Sequence, residues 1–131
     1  SMGVTACAAG RLDDARRSFE AARAHFVETY GPTHEEVLAT NEAQGTCLLD
    51  QHRPGEALPL FEATLKTREE SAGPDDPWNA TSISGLGRAQ LGLGRKAAAV
   101  VTLGRAVKSL EASKLDDGLL RKTKQALEQA R

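Results

Sequence analysis

The sequence predicts an all-α solenoid of packed helix pairs, on three observations. The first is a 42-residue register: Ala15, Ala57 and Ala99 recur at that interval, as do Phe19, Phe61 and Leu103, Ala22, Thr64 and Ala106, and Gly3, Gly45 and Gly87. Self-similarity at such a fixed period marks repeat architectures, in which each unit buries its apolar face against its neighbours. The second is periodicity, because apolar residues recur at three- and four-residue steps and no segment alternates as a strand would. The third is composition. Hydrophobic residues make up 40% of the 131, but aromatics only 4%. Packing must therefore rest on Ala, Leu and Val, small side chains that let helices approach closely.

Each element follows from local signals. Leu12, Ala15, Phe19, Ala22 and Phe26 form one apolar stripe, which places a helix at about 12–30. Gly31-Pro32 breaks it. Thr33-His34-Glu35-Glu36 has capping-box spacing, with Thr33 as N-cap and Glu36 reaching back, and the next helix runs to about residue 50. His52-Arg53-Pro54-Gly55 makes a tight turn into a helix at about 55–72, whose apolar face carries Leu58, Phe61 and Leu65. Gly73-Pro74 then repeats Gly31-Pro32. Asp75 or Asp76 caps the next helix, and Pro77 suits its first turn. Further helices fall at about 77–92 and about 95–113. Asp116-Asp117 opens a last helix with Leu119, Leu120, Thr123, Leu127 and Ala130 on one face. Gly3 already sits at the middle of a helix, so the first unit lacks that helix's start. Ser1-Met2 reads as an expression remnant, and the chain is expected to be a fragment of a larger protein.

The spacing within each unit resembles the tetratricopeptide repeat. That pattern has a small residue in helix A, Ala twelve residues later in helix B, an aromatic four further on and a small residue three beyond. The sets are Gly3, Ala15, Phe19, Ala22; Gly45, Ala57, Phe61, Thr64; and Gly87, Ala99, Leu103, Ala106. The 42-residue period and the Gly-Pro-Asp-Asp-Pro linker look like the longer subtype of kinesin light chains. Leu58-Pro59-Leu60-Phe61-Glu62-Ala63-Thr64-Leu65 matches that subtype's helix B. The resemblance covers about residues 3–113. It implies a right-handed solenoid of antiparallel helix pairs forming one domain over 1–131. Its repeats would fall at about 1–31, 32–73 and 74–115, with a capping helix at about 116–131. Where the subtype carries paired asparagines, this chain has Glu42-Ala43 and Ser84-Gly85, and Gln44 and Gln90 replace usually apolar residues. Ala-rich repeats with Leu-Gly-Arg turns look most like arrays appended to bacterial serine/threonine kinases or transcriptional regulators.

Charge and chemistry exclude several classes. The formal net charge is -1, which gives no global basic field for nucleic acid. The distribution is uneven: residues 1–73 carry 7 basic and 12 acidic groups, and residues 74–131 carry 10 and 6. No apolar run reaches a membrane span. Two cysteines are too few for a disulfide framework, which fits a reducing, cytoplasmic compartment. Cys7 and Cys47 fall in successive A helices and can approach one another; they are read as small buried apolar residues rather than a metal or redox pair. Gly85-Leu86-Gly87 and Gly92-Leu93-Gly94-Arg95-Lys96 lack the Gly-Lys-Ser/Thr of a phosphate loop. His25, His34 and His52 lack metal-ligand spacing. The Asp pairs at 13–14, 75–76 and 116–117 sit at helix starts, where they complement the macrodipole. Trp78 is read as a staple of its loop onto the adjacent helix, with a partner anchor as the lesser alternative. No enzyme, metal site or cofactor is expected.

The resemblance implies a protein-interaction module whose concave face, lined by A helices, takes a protein or peptide segment. By register that face holds Ala39, Glu42, Thr46 and Leu49, then Thr81, Ser84, Arg88 and Leu91. On this reading Phe61 is core, Ala57 sits where two helices nearly touch, and Glu42→Ala changes stability by less than about 0.5 kcal/mol. The alternative is structural self-association, a weak homo-oligomer joined head to tail through the acidic and basic parts. Against it, the last helix offers a polar outer face of Arg121, Lys122, Lys124, Gln125, Glu128 and Gln129.

Overall fold

The computed structural model describes residues 2–131, and it is helical from end to end. In chain order the helices are α1 (Met2–Ala8), α2 (Leu12–Tyr30), α3 (Glu35–Asp50), α4 (Pro54–Ala72), α5 (Ala80–Gly92), α6 (Lys96–Ser113) and α7 (Asp117–Ala130). Each packs on the next. The odd-numbered helices also touch along the array, α1 on α3, α3 on α5 and α5 on α7. Among the described residues α2, α4 and α6 make no such contacts with one another. The array therefore curves, with α1, α3, α5 and α7 on its inner side. This is the all-α helix-pair solenoid that the sequence predicts.

The register acts through contact between a large side chain and a glycine. Phe61 is fully buried. A Cβ added at Gly45 would stand 2.6 Å from its ring, and one at Gly85 only 2.2 Å away. Phe19 lies likewise over Gly3, at 2.8 Å, and Leu103 over Gly87, at 2.7 Å. Small residues thus let helices A and B meet, and the large side chain reaches from α4 to α5 of the next pair. Ala15, Ala57 and Ala99 are all buried, as expected of positions where helices nearly touch.

The turns inside the pairs repeat too. Gly10, His52 and Gly94, 42 residues apart, all have positive φ, at 78°, 60° and 78°. In each turn the following arginine donates its N–H five residues back, Arg11 to Ala6, Arg53 to Leu48 and Arg95 to Gln90, at 2.8–2.9 Å. This is the Schellman closure, whose left-handed residue favours glycine. His52 occupies it with a Cβ, at a cost.

Four local expectations need correction. His34, not Thr33, caps α3: its Nδ1 accepts from the Glu36 N–H at 3.1 Å, while its ring stacks on Tyr30 at 4.4 Å. Pro32 and Thr33 are spent in the turn. The helix expected from 77 begins instead as a short 3-10 turn, Pro77–Asn79, capped by Asp76, whose carboxylate accepts from the Trp78 N–H at 2.8 Å. That turn sends Asn79 inward to the Gly73 carbonyl and leaves Trp78 67% exposed, so Trp78 is no staple. Cys7 and Cys47, read as plain apolar residues, form a disulfide joining α1 to α3 with their Cα atoms 5.8 Å apart. The argument from cysteine count to a reducing compartment falls with it. Among the described residues no helix is long and apolar enough to cross a membrane.

Candidate functional site

Contact among α1, α3 and α5 leaves a cleft of about 390 Å³ on the inner side of the curve. The register places small residues at its centre. Ala39, Glu42 and Thr46 on α3 and Thr81 on α5 line it, facing Val4, Cys7 and Ala8 on α1. Its walls are mostly apolar, and the disulfide forms part of them. Asp50 and Gln51 close the end nearest the turn.

Leu49, Arg88 and Leu91 lie elsewhere. They line a second cleft of about 340 Å³ with His52, Pro54, Ala126 and Gln129, between the α3–α4 turn and α7. Ser84 lines neither. It is fully buried under the last helix, where its Oγ and the Thr123 Oγ1 are 2.7 Å apart. The eight residues expected on one face thus divide four, three and one, because α7 stacks on α5 and covers part of the inner surface.

Glu42 lines the first cleft, but its carboxylate is held from below. Arg68 on α4 donates from Nη2 to Glu42 Oε1 at 2.8 Å and from Nε to Oε2 at 3.1 Å. Ser82 Oγ donates to the same Oε2 at 2.5 Å. Arg68 also donates to both oxygens of Glu35, at 2.8 and 3.0 Å. Bidentate charge-assisted bonds of this kind are the strong ones. Burial alone would lower the Arg68 pKa, but the hydrogen bonds and the charge attraction of Glu35 and Glu42 together outweigh it and raise the pKa. Glu42 is therefore a tie among three helices, and the expectation that Glu42→Ala is silent for stability does not survive. Removing one partner of a buried ion pair strands the other.

Two further arginines, Arg88 and Arg23, are half-buried. Arg88 reaches Asp50 at 3.8 Å; burial pushes its pKa down and Asp50 partly restores it. Arg23 is lowered by burial too, with Glu20 opposing. A guanidinium stays charged at neutral pH in either case. Arg23 also explains Gln44, which is polar at a usually apolar position: the arginine donates to Gln44 Oε1 and, at 2.7 Å, to Asn41 Oδ1. Gln90 has no such partner for its buried oxygen.

Sequence reasoning missed Arg68, Ser82 and the cysteine pair. A signal existed for the first. Arg68 has Phe26 and Leu110 as its period mates, so a charge on that stripe called for a buried partner. Glu42, with period mate Ser84, was the obvious carboxylate. Among the described residues no group of His, Cys, Asp or Glu is arranged to hold a metal.

Comparison with family profiles gives one description twice. A tetratricopeptide-repeat profile matches residues 1–70 and, in an overlapping frame, residues 36–112. No curated protein matches the chain.

Proposed function

The chain belongs to the tetratricopeptide-repeat family, and from that footing we propose that the cleft among α1, α3 and α5 binds a segment of a partner protein. Repeats of this family generally mediate protein–protein interaction. The observation that carries the reading is the convergence of Ala39, Glu42, Thr46 and Thr81 on one apolar concavity of about 390 Å³. Concave, mostly apolar sites with a few placed polar groups are the common form of binding sites. Ala39 and Thr81 are exposed and small, so a partner's apolar side chain meets little obstruction there. The 42-residue period, the Gly-Pro linkers and Pro59 within α4 support the kinesin-light-chain-like subtype. Its paired-asparagine way of holding a peptide is not carried over, since Glu42 is engaged by Arg68. On this reading residues 1–131 form one domain of three helix pairs with α7 as a cap, acting as a docking module within a larger regulatory protein.

The test is selection of peptides from a display library against the whole chain, then titration of the best binder into variants. Ala39→Arg and Thr81→Arg should each weaken binding at least about tenfold, roughly 1.4 kcal/mol, without changing the fold by circular dichroism. Unchanged affinity in both, with protection mapped to α2, α4 and α6, would discard the cleft.

Self-association has a surface of its own in favour. Phe26 and Tyr30 stack at the outer end of α2, with Tyr30 55% exposed, inside the acidic part of the chain. Arg121, Lys122 and Lys124 are exposed on α7. Light scattering across protein and salt concentration decides it: a monomer throughout, even at low salt, rules head-to-tail contact out.

A further inference from the structure

The disulfide is the feature that neither the repeat register nor the family membership explains, and it stands in the wall of the cleft. Its two half-cystines belong to different helices, α1 and α3, separated by 40 residues of chain. Both cysteines line the cleft, with only 5% and 6% of their surface exposed. Among the described residues no free cysteine competes for pairing.

The rest of α1 shows what the bond restrains. This helix has seven residues, and helices that short are not stable on their own. Only Gly3, Ala6 and Cys7 are buried on it, where Ala6 and Cys7 join Ala15 and Phe19 of α2 and Cys47 of α3 in one cluster. Beyond the disulfide its ties to α3 include one hydrogen bond, from Gln51 Nε2 to the Cys7 carbonyl at 3.1 Å. Yet Val4, Cys7 and Ala8 supply one side of the cleft. The shortest α-helix of the array therefore forms a wall of this cleft, and a reducible bond ties it to α3.

We propose that Cys7–Cys47 is a thiol–disulfide exchange site that controls whether the cleft exists as a formed surface. The reductant is a dithiol. Its thiolate attacks one sulfur of the pair, forming a mixed disulfide and expelling the other cysteine as a thiolate, which takes up a proton. The second thiol of the reductant then attacks the mixed disulfide and releases the remaining cysteine. Two electrons and two protons pass to the chain, and the dithiol leaves as its own disulfide. Oxidised, the pair pins α1 to α3 and the wall stands. Reduced, α1 frays and the cleft loses one side. By linkage, a segment that binds the closed cleft favours the oxidised pair by the same factor by which oxidation favours its binding. The functional meaning rests on the cleft reading above, but the exchange chemistry and the release of α1 do not.

The experiment uses the whole chain, with dithiothreitol as the dithiol, and reads amide hydrogen exchange by mass spectrometry. Thiol labelling first establishes that the folded chain is reduced. Amides of residues 2–8 should then exchange at least about tenfold faster, while α5, α6 and α7 keep their protection. A disulfide that resists dithiothreitol in the folded chain and yields only in denaturant overturns the exchange site. Equal protection of α1 in both states overturns the tether. Faster exchange throughout the chain overturns local control, because the bond would then hold the whole fold. Since no ligand enters this measurement, a failed peptide selection leaves it intact. The Cys7→Ser/Cys47→Ser variant, measured the same way, should reproduce the reduced pattern without reagent.

Discussion

The middle and last seams of the array solve one packing problem with different residues. Between α4 and α5, Phe61 fills the space over Gly45 and Gly85. One period on, between α6 and α7, the matching residues are Leu103, Gly87 and Leu127, with Leu103 and Leu127 in one buried cluster. A large side chain facing two glycines has become one leucine over a glycine, with a second leucine in its buried cluster. At the first seam Phe19 has Ala43 beside it, an intermediate solution. The polar groups change in step. Glu42 and Arg68 tie the middle seam with charges, whereas their period mates Ser84 and Leu110 leave the last seam with a neutral Ser84–Thr123 bond. The register thus preserves filled volume and closed hydrogen bonds rather than residue identity, and neighbouring repeats are not interchangeable.

The comparison breaks first, if it breaks, at Phe61. Phe61→Ala should cost about 3–5 kcal/mol in chemical denaturation, since glycine walls offer nothing to collapse into the cavity. A loss well below that of Leu103→Ala would show that the middle seam is not the tighter one. Gly85→Leu should cost about 3 kcal/mol, the top of the usual overpacking range. Adding Phe61→Leu to it imports the last seam's solution into the middle one. The double variant should then be at least about 1 kcal/mol more stable than the sum of its parts; strict additivity would sink the volume-matching argument. Glu42→Ala should cost about 2 kcal/mol, less than a fully orphaned buried charge because Arg68 keeps Glu35. Ser84→Ala, its counterpart, should cost about 1 kcal/mol. Equal losses at the two sites would mean that the charged tie adds nothing over the neutral one. Smallest of all, His52→Gly should gain about 0.5 kcal/mol in thermal melts, relief of the left-handed turn being partly offset by a freer unfolded chain.

The same residues show how far the fold was legible. Ala57, Phe61 and the Gly-Pro linkers speak through a period, and periodicity survives in one dimension. The helix bounds were close for that reason. The site was less legible because it depends on departures from the period. Ser84 lost its place on the inner face to α7, an effect of tertiary stacking. Glu42 turned inward because Arg68, 26 residues away, waited below it. Trp78 faced outward because a single 3-10 turn chose Asn79 as its buried residue. The cysteines illustrate the limit of counting: two in a chain say little about pairing, while two on adjacent helices with Cα atoms 5.8 Å apart are within disulfide reach.

Contact along the inner helices and its absence along the outer ones also fixes how the array answers to force. Curling it more tightly must press α1, α3, α5 and α7 into one another, and packed side chains resist compression steeply. Straightening it draws those helices apart, against the Cys7–Cys47 bond between α1 and α3 and the Ser82–Glu42 bond between α5 and α3. The array therefore resists bending both ways by different means, by side-chain compression when curled and by these discrete links when straightened. Tension across its ends would load those two links, both of which involve residues lining the cleft.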